Sequence, residues 1–162
     1  MQYRNIFDVE WNHKSLGLFI FLIALPNLLG MVNLSTPLGF KVHFFQLGIF
    51  LAAIIYGPWG GMLSGLFGSV YSALIMGNPY IVGGNAMLGF FAGLFVKYGF
   101  NTVISVLLAF LIQLPWLILT DFYLMRLPLN FIFMLVIALA ASNFIWALAA
   151  HYIAAPLKNS LR

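Results

Sequence analysis

Few side chains in this sequence could do chemistry, and they lie far apart. Asp121 is the only acid beyond residue 10, and Arg126 follows it five residues later. Asparagine stands at 78, 85 and 143, glutamine at 113, tryptophan at 116 and 146, and tyrosine at 80 and 123. Lys41 and His43 make a small polar group upstream, and His151 stands near the C-terminus. Polar groups at membrane depth are costly, so in an apolar chain they point to function.

Each has a plain reading beside a functional one. An exposed Asp121–Arg126 pair would only order a loop, for about 0–1 kcal/mol; turned inward, either would face a ligand. Asn85 could cap a helix or bond across helices, or touch a ligand. Asn143 must satisfy up to about four hydrogen bonds, from Gln113 and Trp116 or from a polar substrate. Gln113 suits glue between helices. Trp116, Trp146, Tyr80 and Tyr123 could form an interfacial belt or stack on a flat heterocycle. His151 reads as interfacial.

Enzymatic chemistry finds little support. Metal sites need clustered histidines and carboxylates, and the three histidines are dispersed. The string Gly61-Met62-Leu63-Ser64-Gly65 has the wrong spacing for an intramembrane serine protease. There is no acid pair, phosphate loop or cofactor motif, and no filter-like sequence of an ion channel. With no cysteine in the chain, disulfides and thiolate ligands are excluded. The expectation is a protein that is not an enzyme and carries no cofactor.

The elements holding these residues must be membrane helices. The sequence is 64% hydrophobic and 6% charged, with mean hydropathy +1.05, whereas soluble domains carry about 25% charged residues. The net charge of +4 is scattered along the chain, so it reads as a topology signal rather than as a nucleic-acid patch. Met1 to Lys14 is too acidic for a signal-peptide n-region and no cleavage site follows, so the first apolar helix is expected to stay.

The hydrophobic stretches predict an all-α integral membrane protein, a six-helix bundle over residues 15–156, between a cytoplasmic segment 1–14 and a cytoplasmic tail 157–162. The spans run from Ser15 to Leu34, Val42 to Tyr56, Trp59 to Met76, Asn85 to Val96, Asn101 to Phe122 and Leu129 to Ala155. Breaks fall at Ser35–Lys41, Gly57-Pro58, Gly77-Asn78-Pro79 with Gly83-Gly84, Lys97–Gly99, and Pro156. The segment from Gly57 to Ser72 carries small residues four apart: Gly57, Gly61, Gly65 and Ser69 on one line, Ser64, Gly68 and Ser72 on the next. Such lines let helix backbones approach closely in lipid. With both termini inside, Arg4, Lys14, Lys97, Lys158 and Arg162 are cytoplasmic and only Lys41 and Arg126 lie outside, as the positive-inside rule favours.

The run from Phe44 to Gly61, ending Ile55-Tyr56-Gly57-Pro58-Trp59-Gly60-Gly61, leads into Gly65-Leu66-Phe67-Gly68-Ser69 and then Gly84-Asn85-Ala86-Met87-Leu88-Gly89-Phe90-Phe91-Ala92-Gly93-Leu94. Over residues 40–95, and in length and helix count, this resembles the substrate-binding (S) components of energy-coupling-factor (ECF) transporters. The resemblance implies uptake of a small water-soluble vitamin or related heterocycle across a prokaryotic cell (inner) membrane, with a transmembrane coupling subunit and two ATPase subunits as partners. It implies a ligand near the outer face, where Lys41, Asn78, Tyr80, Asn85, Trp116, Asp121, Arg126, Asn143 and Trp146 are the candidate contacts. Lys41 and Arg126 would suit a carboxylate on that ligand. Many S components dock through an alanine pair on the first helix; here Ala24 is followed four residues later by Leu28, so the pair is absent. The alternative is a structural subunit of a cell-wall elongation (rod-shape) complex, similar in size and needing no pocket.

Overall fold

The computed structural model describes residues 11–32, 34–35 and 41–161. Helices account for nearly all of it: α1 (His13–Gly30), α2 (Gln46–Gly68), α3 (Val70–Met76), α4 (Tyr80–Lys97), α5 (Thr102–Leu119) and α6 (Leu129–Ser160). A π-helical turn, Thr120–Leu124, extends α5. Two short strands, β1 (Leu34–Ser35) and β2 (Lys41–Val42), pair antiparallel between α1 and α2.

Five stretches are long and apolar enough to cross a membrane: His13–Gly30, Gln46–Met76, Tyr80–Lys97, Thr102–Leu124 and Leu129–Ser160. Their outward faces are greasy, with Leu74, Ile75, Phe133 and Tyr152 each at least two-thirds exposed. This is a multi-pass membrane protein.

The second stretch is a hairpin. Gly57 sits at φ 74°, ψ −162°, a conformation closed to residues with a Cβ, and Pro58 follows it. A Cβ added to Gly61 would lie 2.8 Å from that of Ala53, and one on Gly60 would lie 3.0 Å from the Ala52 carbonyl oxygen. Residues eight apart in an unbroken helix stand about 12 Å apart, so the chain turns back at Gly57. Pro26 of α1 confirms it, lying against both Gly48 and Gly68. Residues 46–56 thus form a descending arm about 16 Å long, and residues 58–68 an ascending one.

The two lines of small residues serve two different neighbours. Gly57, Gly61, Gly65 and Ser69 meet α4 in antiparallel register. Gly93 packs on Gly57, Gly89 on the Gly61 carbonyl and Gly65 on the Asn85 carbonyl, and Asn85 Nδ2 donates to Ser69 Oγ (2.8 Å). Ser64, Gly68 and Ser72 face α1: Ser64 Oγ donates to the Leu22 carbonyl (2.7 Å), and Gly68 and Ser72 meet Pro26 and Gly30. Asn27 spans the α2–α3 break, donating to the Phe67 carbonyl (2.8 Å) and accepting from the Tyr71 N–H (2.9 Å).

Hydrogen bonds orient the rest. Tyr56 Oη donates to the Ser15 carbonyl (2.6 Å) and Asn12 Nδ2 to the Leu161 carbonyl (3.1 Å). Thr102 and His151 meet at 3.1 Å. The Gly57 turn, the start of α1 and the end of α6 therefore share one end of the bundle. Asn78, Tyr80, Trp116 and Asp121 share the other. Between them runs a core of Ile49, Phe50, Ala53, Leu88, Val106, Ala109, Ala147 and Ala150.

Several sequence-based boundaries need correction. The break expected at Gly57-Pro58 falls there, as a turn of one residue between the two arms, but the helix expected over Trp59–Met76 is interrupted at Ser69 and starts anew at Val70. The expected fourth helix, Asn85–Val96, begins at Tyr80. Gly83 and Gly84 are helical, and their missing side chains admit Trp116, whose ring a Cβ at Gly83 would meet at 2.9 Å. The expected sixth helix, Leu129–Ala155, runs through Pro156 to Ser160. The first ends at Gly30 rather than Leu34.

Candidate functional site

The descending arm covers only about half of a ~30 Å hydrocarbon core, and its short reach leaves room above it. A cavity of about 200 Å³ lies there, at the Asn78 end of the bundle. Phe44 and Phe45, at the head of the arm, line it from below. The end of α1 contributes Leu29 and Gly30, with Val32 just beyond it, and α3 contributes Tyr71, Ser72 and Ile75. From α4 come Tyr80, Gly84 and Asn85, and from α5 Gln113, Trp116 and Asp121. One stripe from the α6 side, Leu127, Phe131, Leu135 and Leu139, closes it at helical spacing. Ligand pockets are commonly of this kind, apolar and aromatic walls with a few convergent polar groups.

The polar groups are held by the elements that meet here. The π-helical turn adds a residue to the last turn of α5, with Met125 N–H bonded to the Thr120 carbonyl and Leu127 N–H to the Asp121 carbonyl (both 2.9 Å). Asp121 is buried, and Asn78 Nδ2 donates to its Oδ1 (2.8 Å). Asn78 Oδ1 in turn accepts from the Tyr80 N–H (3.1 Å). Trp116 Nε1 donates to the Tyr80 carbonyl (3.1 Å), pinning α5 to the start of α4. Gln113 Nε2 donates to Asn85 Oδ1 (3.4 Å), completing a chain that runs from Gln113 and Asn85 in the cavity wall to the buried Ser69.

Of the nine candidate contacts, five line this cavity: Asn78, Tyr80, Asn85, Trp116 and Asp121. Asn85 is not a helix cap; it bonds across helices and faces the cavity. Arg126 does neither thing foreseen for it. It is exposed, at φ 55°, is absent from the lining and makes no ion pair with Asp121. The Lys41 side chain lies outside the described residues.

Asn143 and Trp146 fall one layer below. Asn143 continues the α6 stripe one turn past Leu139, but Phe44 packs on Trp146 with ring centres 4.9 Å apart, and the His43 N–H bonds Ser142 Oγ (3.4 Å). This contact puts the head of the descending arm between Asn143 and the cavity. Both polar atoms of the Asn143 side chain, with Trp146 Nε1 and Gln46 Oε1, are buried without a hydrogen-bond partner among the described residues. Gln113, His43, Phe44, Tyr71 and Thr120 line the cavity without having been assigned to it. Thr120 and Phe44 could have been found as neighbours of Asp121 and His43; for Tyr71 and Phe131 no sequence signal stands out from general apolarity.

Among the described residues no group of three or more histidine, aspartate or glutamate side chains could hold a metal ion. Set against protein-family models, curated proteins and solved structures, the chain matches none.

Proposed function

We propose that this chain is the substrate-capture subunit of an ECF-type importer in a prokaryotic cell membrane. It binds a small water-soluble vitamin or cofactor precursor near the outer face. Counting the two arms of the Gly57 hairpin separately gives six passes, with both termini on the cytoplasmic side, in keeping with the distribution of lysine and arginine. The chain carries no nucleotide-binding motif, so ATP hydrolysis falls to two partner ATPases, coupled through a transmembrane subunit.

The observation that supports this reading is the cavity, walled by aromatic rings and amides at the end assigned to the outside. At about 200 Å³ it is smaller than the ~300–1,000 Å³ of drug-sized sites, which suits a molecule of one or two rings. A structural subunit of a rod-shape complex would have no use for an aromatic cavity with convergent polar groups. The reading is tested by thermal unfolding of the purified protein against a panel of vitamins and their ring precursors. A ligand at ~100 times its Kd adds about 2.7 kcal/mol of stability, so one compound or a related group is expected to raise the melting temperature. A panel that leaves it unchanged speaks against the reading.

A further inference from the structure

The charge of the cavity says what kind of molecule it takes. We propose that the ligand carries a positively charged nitrogen, a protonated amine, an amidinium or a quaternary centre on a flat ring, and that Asp121 is its counter-charge. The inference rests on the cavity being a ligand site and reverses the expectation of a carboxylate-bearing ligand.

Three observations carry it. First, among the described lining residues Asp121 is the sole acid; the basic side chain with it is the His43 imidazole, and no lysine or arginine lines the cavity. Arg126, the cation nearest in sequence, is exposed and unpaired with it. Lys97 and Lys158 belong to the opposite end of the bundle, at the ends of α4 and α6. Second, Asp121 is 5% exposed yet has one side-chain partner among the described residues, the Asn78 amide at 2.8 Å on Oδ1. An ionised carboxylate offers about four acceptor positions. Held at membrane depth it is expected to pair with a cation or to serve a ligand. Third, the walls suit the same chemistry. Trp116, Tyr71, Phe44 and Phe131 present aromatic rings around the cavity, and an organic cation is attracted to such faces. A carboxylate backed by aromatic rings binds organic cations and repels anions.

Asp121 could instead be a strut, tying the end of α5 to Asn78 with no part in recognition. Benzamidinium, benzamide and benzoate distinguish the two, since they share one ring and one size and differ only in charge. Their binding is measured by ligand-observed NMR on the protein in nanodiscs at neutral pH. Benzamidinium is expected to bind at least about tenfold more tightly than benzamide, as a charge-assisted contact requires, and benzoate not at all. Asp121→Asn is expected to abolish that preference, while leaving benzamide binding in place. The wild-type series needs no variant, so it decides the matter even if Asp121→Asn does not fold.

Benzoate binding as well as benzamidinium, or a preference that survives in Asp121→Asn, overturns the proposal. So does a preference seen only in Lys41→Gln, which would make Lys41 the natural partner of Asp121. Equal binding of all three compounds, lost when Leu135→Trp fills the cavity, overturns the cation while keeping the ligand site. Failure of all three to bind, with no vitamin or precursor stabilising the protein, overturns both.

Discussion

The two ends of this bundle solve opposite problems with neighbouring parts of the same helices. Toward the Gly57 turn, α4 and the ascending arm touch backbone to backbone, and a Cβ at Gly61, Gly65 or Gly89 would strike a carbonyl. Toward Asn78, α3 and the start of α4 part around a cavity. Ser72, Asn85 and Asn78 stand there beside Gly30 and Gly84, and aromatic rings make up much of the wall. Without a hydrophobic effect between helices in lipid, close packing has to come from shape and hydrogen bonds. The tight end supplies most of that packing, and at the open end hydrogen bonds between polar groups join the helices around the cavity.

That contrast predicts how the ends respond to substitution. Gly65→Val should have the largest effect, since the Asn85 backbone cannot yield without moving α4. A loss of about 3 kcal/mol or more is expected, seen as failure to accumulate in the membrane or a collapsed unfolding transition in detergent. A Gly65→Val protein of near wild-type stability would mean the helices are not in backbone contact. Leu135→Trp, at the open end, should do the reverse. It fills existing space, so stability should change by less than about 1 kcal/mol, while binding of the natural ligand falls by tenfold or more.

Ser69→Ala sits between the two ends and should cost about 1 kcal/mol, because Asn85 Nδ2 loses its acceptor inside the bundle. Restoring stability with a second change, Asn85→Ala, would confirm the coupling; additive losses would refute it. The smallest effect belongs to Arg126→Ala. An exposed side chain outside the lining should leave stability within about 0.5 kcal/mol and ligand affinity unchanged. A clear loss of affinity there would move the site toward the Asp121–Pro128 loop.

Much of the tight end was legible in the sequence, because small residues four apart can only make a line on a helix. Which line meets which neighbour was not, since Pro26 and Gly89 carry no mark of their partners. Gly83 and Gly84 misled for a related reason: glycine breaks helices in water, but here it makes room for the Trp116 ring. Asp121, Asn78 and Trp116 could be singled out as polar or amphipathic residues in apolar surroundings. Their convergence depends on the π-helical turn, which has no sequence signature, and on the shortness of residues 46–56. The same shortness puts Asn143 beneath Phe44, so a buried mid-helix asparagine, a reasonable candidate contact, ends below the cavity instead of in its wall.

Whether the cavity holds a basic ligand is read most directly by native mass spectrometry of the intact protein, purified from its own membrane and compared with Leu135→Trp. A single small-molecule adduct is expected on the wild-type chain, carrying a basic nitrogen and absent from Leu135→Trp. A wild-type chain that flies bare or with lipid alone, indistinguishable from Leu135→Trp, would contradict that reading of the cavity.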